Sequence, residues 1–396
     1  MRKLRVGVWI SNDILPEAGG GFGYYAQLLE KLKATKFKEV EIIFISNDSD
    51  SIKYFKIENK YIIKWKERKI IKIFRFVLRK TKNLPFPKFT KYLSKHIDTS
   101  MNLLNIELNN VIDVIYYLTP DCIYPTFPYI YTLWDIGHLS MYAFPEVAMH
   151  GNYEIRKKQY DSYLNKAICI FTESLAGKQD AIKYLNINPD RIRVIPIFPS
   201  SIVDKSVNAH KPNIQEDLYF IHYPAQYWAH KNHYNLILAF NLLASEFPSL
   251  KLVLTGADKG NKSYIFSIIE QLHLSDKIID LGFVTMNELK WIYLHSKGLV
   301  MPTFLGPTNM PLLEAAELNC PVACSNLEGH IEQLGDYAYY FDPLNYCSIY
   351  ECVRAMLLNQ DSLKNKQYNS QFNIDNAIQA IDSALTDLKN IRFCWN

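Results

Sequence analysis

The segment from Met301 to Ala316 has the pattern of a strand, a turn and a helix that together could bind phosphate. An apolar strand ends at Pro302, a turn rich in Gly, Pro, Thr and Asn follows, and Pro311 suits the first turn of the helix. Free backbone N–H groups and the positive dipole end of such a helix favour a diphosphate. Glu314, one turn further, could accept hydrogen bonds from ribose hydroxyls. Alone, the pattern fits an ordinary strand, turn and helix with a solvated Glu314 equally well.

A second segment carries a cation that could reach the same phosphate. The residues Tyr223–His233 follow an apolar strand and precede a helical pattern, so Lys231 lies in a loop at the carboxyl end of that strand. A lysine ammonium could bind phosphate there as a point charge. The alternative is a solvated loop lysine without a ligand.

These residues must be positioned by a scaffold of strands and helices. Apolar, β-branched runs alternate with helical patterns along the chain, which predicts an α/β protein with parallel sheets covered by helices. A capping box, Thr285-x-x-Glu288, opens the predicted helix Asn287–His295. Another helical pattern covers Tyr24–Leu32. The predicted strands are Leu4–Ile10, Glu41–Ile45, Val111–Leu118, Tyr129–Trp134, Ala167–Phe171, Ile192–Ile197, Asp217–Tyr223, Lys251–Leu254, Ile278–Leu281, Gly298–Met301 and Pro321–Cys324.

The length of 396 residues predicts two domains. The strand and helix rhythm lapses between residues 198 and 215, where we place the linker. We therefore expect an N-terminal domain at 1–205, a C-terminal domain at 206–375, and a C-terminal helix at 376–396 that returns to the first domain. Each half has the size of one doubly wound domain, and a ligand would lie where the carboxyl ends of the two sheets face each other.

The net charge of +4 is unevenly distributed. Residues 51–95 carry 15 basic and 2 acidic side chains, a net +13, so the rest of the chain carries −9. Trp65, Phe74 and Phe76 are interleaved with these basic residues, a composition typical of contact with an anionic membrane surface. A helix packed on the first sheet is an equally good interpretation. Nucleic acid is disfavoured, because no nucleic-acid motif accompanies the charge.

The remaining motifs bear on location and on metals. Seven scattered cysteines without a Cys-x-x-Cys pair indicate a cytoplasmic setting, and Cys320 and Cys324 are expected in the core. No apolar run approaches the roughly 20 residues of a membrane span, so any membrane contact is expected to be peripheral, on the inner face of the plasma membrane. Asp48-Ser49-Asp50 has the form of a metal motif but is interpreted as a solvated loop. We expect no metal.

The second half of the chain resembles the retaining GT-B glycosyltransferases of glycosyltransferase family 4. The N-terminal half matches this family more loosely. The matching segments are His230–Asn232, Lys251–Gly256, Gly282–Val284, Pro302–Glu314, Cys320–Ala323 and Gly335–Pro343 in the second half, with Gly19–Gly21, Asp135–His138, Phe144–Glu146 and Phe171–Ser174 in the first. The resemblance implies two facing Rossmann-like domains, with 1–205 on the acceptor side and 206–375 binding the nucleotide sugar. It further implies transfer of a hexose from a GDP- or UDP-linked sugar to a lipid-linked or polysaccharide acceptor, in bacterial-type surface glycan biosynthesis.

The resemblance also assigns residues. It implies that Glu314 holds the ribose, that Lys231 and the backbone of residues 308–310 hold the diphosphate, and that the transfer proceeds by front-face attack without a protein nucleophile. The family commonly has Glu where this chain has Gly306, and Arg near Gln226. The implied catalytic residues are His138, Lys231 and Glu314. The implied donor-binding residues are Gly20, Gly21, Gln226, Lys231, Gly306, Thr308, Asn309, Met310 and Glu314.

Some alternatives stay open at this point. His138 could hydrogen-bond the sugar or position the acceptor, but Trp134-Asp135 stands where the family usually has His-Asp, and Asp135 could simply cap a turn. Two other functions fit the same features. One is a non-hydrolysing nucleotide-sugar epimerase, and the other is a membrane-surface binding protein with a vestigial cleft.

Overall fold

The chain forms two parallel sheets, each covered by helices. The computed structural model describes residues 2–11, 20–47, 53–63, 87–120, 122–359 and 368–394. In the first sheet the strand order is β3-β2-β1-β4-β5-β6-β7, and every neighbouring pair is parallel. Its strands are β1 (Leu4–Trp9), β2 (Val40–Ser46), β3 (Lys60–Ile62), β4 (Val114–Tyr117), β5 (Tyr129–Leu133), β6 (Cys169–Thr172) and β7 (Ile192–Val194).

The second sheet repeats this plan with the order β10-β9-β8-β11-β12-β13, again entirely parallel. In both sheets the strand order reverses beside the first strand, between β1 and β4 and between β8 and β11, which opens a crevice at the carboxyl ends of the strands. The strands of the second sheet are β8 (Phe220–Pro224), β9 (Lys251–Thr255), β10 (Ile278–Asp280), β11 (Leu299–Met301), β12 (Val322–Ser325) and β13 (Ala338–Phe341).

Helices connect these strands and cover both faces of each sheet, as parallel strands require. The predicted capping box is confirmed: the Thr285 N–H donates to Glu288 Oε2 at 2.8 Å, and the Glu288 N–H donates to Thr285 Oγ1 at 3.3 Å. The described helices are α1 (Gly20–Ala34), α2 (Pro87–Asn109), α3 (Gly137–Ser140), α4 (Pro145–Ala148), α5 (Asn152–Tyr163), α6 (Leu175–Leu185), α7 (His233–Glu246), α8 (Lys262–Gln271), α9 (Met286–His295), α10 (Met310–Glu317), α11 (Glu328–Leu334), α12 (Tyr346–Leu358) and α13 (Ile374–Arg392).

The last helix, α13, packs against α1 and the first sheet rather than against the second. Ile381 and Leu385 of this helix are fully buried in the same core cluster as Val6 of β1. Cys320 and Cys324 are buried in the core of the second domain, as predicted. Within the described residues, no helix is both long and apolar enough to cross a membrane.

The observed elements differ from the predicted ones mainly at the sheet edges. All eleven predicted strands are present with shifted ends, but the edge strands β3 and β13 were missed. Helix α1 begins at Gly20, before the predicted start at Tyr24, and α2 was missed. Parts of the basic segment therefore form β3 and the start of α2. Trp65, Phe74, Phe76 and the Asp48-Ser49-Asp50 motif lie outside the described residues.

Candidate active site

A cavity of about 890 Å³ lies between the two sheets. Its walls are built largely from the loops that follow the carboxyl ends of the strands in both domains, which is where a doubly wound fold places its ligand. The loop after β5 contributes Trp134 and Asp135, and the loop after β11 contributes residues 304–309. The cavity thus occupies the position predicted from the alternation of strands and helices.

Seven of the predicted donor-binding residues line this cavity, whereas His138 and Glu314 are not among the lining residues. Gly20 begins α1 directly before Gly21, and Gly19 lies outside the described residues. The structure therefore brings together the two segments of the second domain that were predicted to bind phosphate. The predicted residues that line the cavity are Gly21, Gln226, Lys231, Gly306, Thr308, Asn309 and Met310.

Lys231 projects from a 3-10 turn, Ala229–Lys231, toward the start of α10. The Tyr223 hydroxyl donates to the Lys231 carbonyl at 2.8 Å, and the Lys231 ammonium donates to Asn309 Oδ1 at 3.3 Å. Burial lowers the pKa of Lys231 to about 8, although the Asp135 and Glu146 carboxylates oppose this shift. A ligand that brings negative charge to Lys231 would raise this pKa again and stabilise the protonated form.

Asn309 is fixed by two side chains of α11 that sequence reasoning missed. Its Nδ2 donates to His330 Nε2 at 2.8 Å, while His330 Nδ1 donates to the Ser325 carbonyl at 2.9 Å. Burial lowers the pKa of His330 to about 4, so the ring is neutral and can both donate and accept. The Gln333 amide bonds both the Asn309 N–H and carbonyl, at 2.9 and 3.1 Å. The spacing His330-x-x-Gln333 places both side chains on one helix face, and this pattern in the sequence could have indicated a shared role.

This network corrects one part of the predicted phosphate site. The N–H of Asn309 is donated to Gln333 Oε1 and is therefore not available to a diphosphate. In the part of the chain that the structure describes, the N–H groups of Thr308 and Met310 have no hydrogen-bond partner. Two backbone N–H groups at the start of α10 therefore remain available, with Lys231, for the predicted contact with a diphosphate.

Gly306 adopts a backbone conformation that explains why glycine occupies this position. Its φ is +121°, which side chains rarely tolerate. An added Cβ would lie 2.7 Å from Asn309 Nδ2 and 3.0 Å from the Thr308 carbonyl oxygen. A glutamate at this position would therefore displace Asn309, the residue that contacts Lys231.

Glu314 lies one turn into α10, outside the lining of the cavity. Its carboxylate is buried, and both oxygens accept hydrogen bonds from protein hydroxyls: Oε2 from Tyr293 at 2.8 Å, and Oε1 from Ser200. Burial raises the pKa of Glu314 above its usual value, and the two hydroxyls partly oppose this shift. The carboxylate thus connects α10 with the interdomain linker and with α9, and its contact with a ribose stays a prediction.

His138 does not face the cavity either. Its ring is fully buried against Tyr160, with ring centroids 4.8 Å apart, and neither ring nitrogen has a hydrogen-bond partner among the described residues. Burial lowers the pKa of His138 to about 4, and the Arg156 charge adds to this shift. The structure therefore places His138 in the core behind the wall of the cavity, and its contact with sugar or acceptor stays a prediction.

Several charged residues of the first domain line the cavity without having been predicted as site residues, among them Arg156, Glu146 and Glu173. Arg156 pairs with Asp135 at 2.6 Å, and Asp135 also caps a turn by accepting from the Gly137 N–H at 2.7 Å. Glu146 accepts from the His230 N–H of the second domain at 2.8 Å and also bonds the His230 ring. Glu173 accepts a hydrogen bond from the Thr308 hydroxyl. The segments that carry Glu146 and Glu173 were noted in the sequence, but no role was assigned to these carboxylates.

The two domains also meet beside the cavity, at a seam formed by the start of α6 and by α11. The Glu332 carboxylate of α11 accepts from the N–H groups of Leu175 and Ala176 at 2.8 Å each, which satisfies two free donors at the start of α6. The Ser174 hydroxyl lies 3.4 Å from the Pro307 carbonyl. The loop that lines the cavity is thereby held from both domains.

Comparisons with known proteins agree with this architecture. Residues 204–372, which hold the whole second sheet, match the family Glycosyl transferases group 1. O-antigen chain mannosyltransferase B of Escherichia coli is 26% identical over 214 residues, covering 52% of this chain and 55% of that protein. The chain spans about half the length of the curated relatives it matches.

Solved structures extend the likeness to the whole fold. A glycosyltransferase from Rickettsia africae ESF-5 has a TM-score of 0.62 at 15% identity, covering 99% of this chain and 98% of that one. Anabaena HepE in complex with UDP and glucose has a TM-score of 0.62 at 14% identity, covering 97% and 99%. The chain has the GT-B fold of two facing Rossmann-like domains, and this prediction is confirmed.

Proposed function

We propose that this chain is a retaining glycosyltransferase that moves a hexose from a nucleoside-diphosphate sugar to a lipid-linked or polysaccharide acceptor in surface glycan biosynthesis. One observation carries the proposal: Lys231 and the free N–H groups of Thr308 and Met310 converge at the start of α10, in a cavity between two Rossmann-like domains. A cation and a helix start together match the charge of a diphosphate.

The proposed donor is supported by proteins to which this chain is similar. Anabaena HepE is known in complex with UDP and glucose, and the Escherichia coli relative is a mannosyltransferase, which favours a UDP- or GDP-linked hexose. In front-face transfer, the leaving diphosphate takes the acceptor proton, so the protein contributes positioning and stabilisation of the leaving group. Lys231 supplies positive charge for this purpose, and we propose that no metal is required.

The experiment that tests this function is donor binding followed by donor turnover. We expect one of UDP-glucose and GDP-mannose, present at about 100 times its dissociation constant, to stabilise the folded chain by about 2.7 kcal/mol in a thermal-shift assay. The same donor should release its nucleoside diphosphate when membrane lipids or glycan acceptors are added, and the release should continue in EDTA. Turnover without any acceptor to an epimerised nucleotide sugar would instead identify an epimerase, and binding of neither donor would contradict the proposal.

A lipid-linked acceptor implies that the enzyme works at a membrane, and we propose peripheral docking through residues 51–95. Reversing four charges in this segment is expected to weaken binding to vesicles with anionic lipid at least about 10-fold, because each basic residue near such a surface contributes about 1 kcal/mol. Vesicle co-sedimentation measures the effect. The four substitutions to glutamate are at Lys64, Lys66, Arg68 and Lys69.

A control variant with four reversals elsewhere separates docking from net charge. It changes the total charge equally but leaves the segment intact, so its vesicle binding should stay closer to that of the unmodified chain. Equal binding by the unmodified chain and the segment variant would overturn the docking proposal. The control substitutions to glutamate are at Lys205, Lys211, Lys259 and Lys277.

A further inference from the structure

Glu173 brings a carboxyl group from the first domain to the loop that precedes α10 in the second. It directly follows β6, so its position is set by the carboxyl end of a buried strand. The Thr308 hydroxyl donates to Glu173 Oε2 across the domain boundary, and Glu173 lines the cavity. The neighbouring contact between Ser174 and Pro307 holds the same two segments together.

One oxygen of this carboxyl group is left for a ligand. In the described part of the chain, Glu173 Oε1 has no hydrogen-bond partner and Glu173 has no ion-pair partner. By contrast, Asp135 is paired with Arg156, and Glu146 is bonded to His230. An unbonded carboxyl oxygen in the lining of a cavity is suited to accept a hydrogen bond from a ligand.

The chemistry of the site favours a sugar hydroxyl over a phosphate as that ligand group. Burial raises the pKa of Glu173 to about 8, the Asp135 charge adds to the shift, and the Thr308 hydroxyl partly opposes it. A neutral carboxyl group both donates and accepts hydrogen bonds, as a hydroxyl partner requires. A phosphate would place negative charge beside a group that is already difficult to ionise.

The opposing loop has no carboxyl group of its own. Residues 303–309 contain no acidic side chain, and the backbone of Gly306 leaves no room for one. Accepting the proposed function as a premise, we propose that Glu173 hydrogen-bonds a hydroxyl of the transferred sugar and thereby helps to select its configuration. Two domains then share the recognition of one donor, with phosphate contacts from the second and a sugar contact from the first.

The test compares a nucleotide sugar with its nucleoside diphosphate. The probe is whichever of UDP-glucose and GDP-mannose the unmodified chain binds, together with the matching UDP or GDP. Glu173→Ala should weaken binding of the nucleotide sugar about 10- to 100-fold by calorimetry, since a buried hydrogen bond is lost, yet change nucleoside diphosphate binding less than about 3-fold. Glu173→Gln, which keeps a donor and an acceptor, should retain nucleotide-sugar binding within about 3-fold.

Each outcome has one meaning. Glu154→Ala, an exposed carboxylate on α5 of the same domain, is the matched control and should bind both ligands normally. Equal weakening of both ligands in Glu173→Ala, or no weakening of either, would overturn the sugar contact while the proposed function stands. Binding of neither nucleotide sugar by the unmodified chain would overturn the proposed function, and the sugar contact with it.

Discussion

Lys231→Ala is expected to lower kcat/KM for the nucleotide sugar by about 100- to 1000-fold, the usual effect of removing one group that stabilises a developing charge. In the structure, the Lys231 ammonium donates to Asn309 and lies in the cavity beside the start of α10. Without the Lys231 ammonium, the leaving diphosphate would keep the two backbone N–H donors at the start of α10 but would lose the cation that Lys231 supplies. Release of nucleoside diphosphate, measured as a rate at several donor concentrations, gives the effect.

The matched control is Lys259→Ala. Lys259 is an exposed lysine of the same domain that lies over the Trp228 ring, outside the lining of the cavity. It removes the same charge from the chain and should leave kcat/KM within about 2-fold, since exposed charges are screened at physiological salt. If Lys231→Ala stays folded and matches this control in rate, Lys231 does not act on the leaving group.

The pH profile gives an independent check on Lys231. Because burial lowers its pKa to about 8, the protonated fraction falls as pH rises through 8, and kcat/KM should fall with it. Lys231→Arg keeps its charge throughout this range and should lose this alkaline decrease. Glu173 also titrates near pH 8, so a decrease that persists in Lys231→Arg but disappears in Glu173→Gln would assign it to the carboxyl group.

The sequence predicted the inner strands of both sheets because they are continuous apolar runs. Val6 and Val8 of β1 are fully buried, as parallel strands covered on both faces should be. The edge strand β3 has only three residues, two of them exposed, so its pattern carried little signal. Helix α2 was not predicted, since its start lies in the basic segment, which was interpreted from its basic and aromatic composition.

Prediction of the site from the sequence was limited in a similar way. Lys231 and Asn309 could be predicted, because each follows a strand of one sheet and the carboxyl ends of parallel strands meet at one edge. The contact of Glu173 with Thr308 joins residues of different domains, and nothing in the local sequence around either reveals it. The contact of Glu314 with Ser200 could not be predicted for a related reason: Ser200 comes from the linker, whose path the strand pattern does not determine.

Gly329→Ala is expected to lower the activity at least about 100-fold, although Gly329 contributes only backbone atoms to the lining of the cavity. A Cβ on Gly329 would lie 1.5 Å from the Pro307 carbonyl oxygen and 2.5 Å from its carbonyl carbon. Either the start of α11 or the loop of residues 306–309 must move, and a displacement of about 1 Å in a positioning group can cost about 100-fold in rate. We also expect the free energy of unfolding to fall by about 1–3 kcal/mol through overpacking.

The comparison that isolates this effect is Gly23→Ala. Gly23 lies within α1, and an added Cβ would meet nothing within 4 Å, so this variant should be as stable as the unmodified chain or gain up to about 1 kcal/mol from its helix propensity. Both variants add one methyl group, and only Gly329→Ala pushes against a backbone that carries Thr308 and Asn309. Unchanged donor turnover and an unchanged denaturant midpoint in Gly329→Ala would show that this loop can move without losing its function. A folded but inactive Gly329→Ala variant would establish that the seam between the domains sets the geometry of the phosphate site.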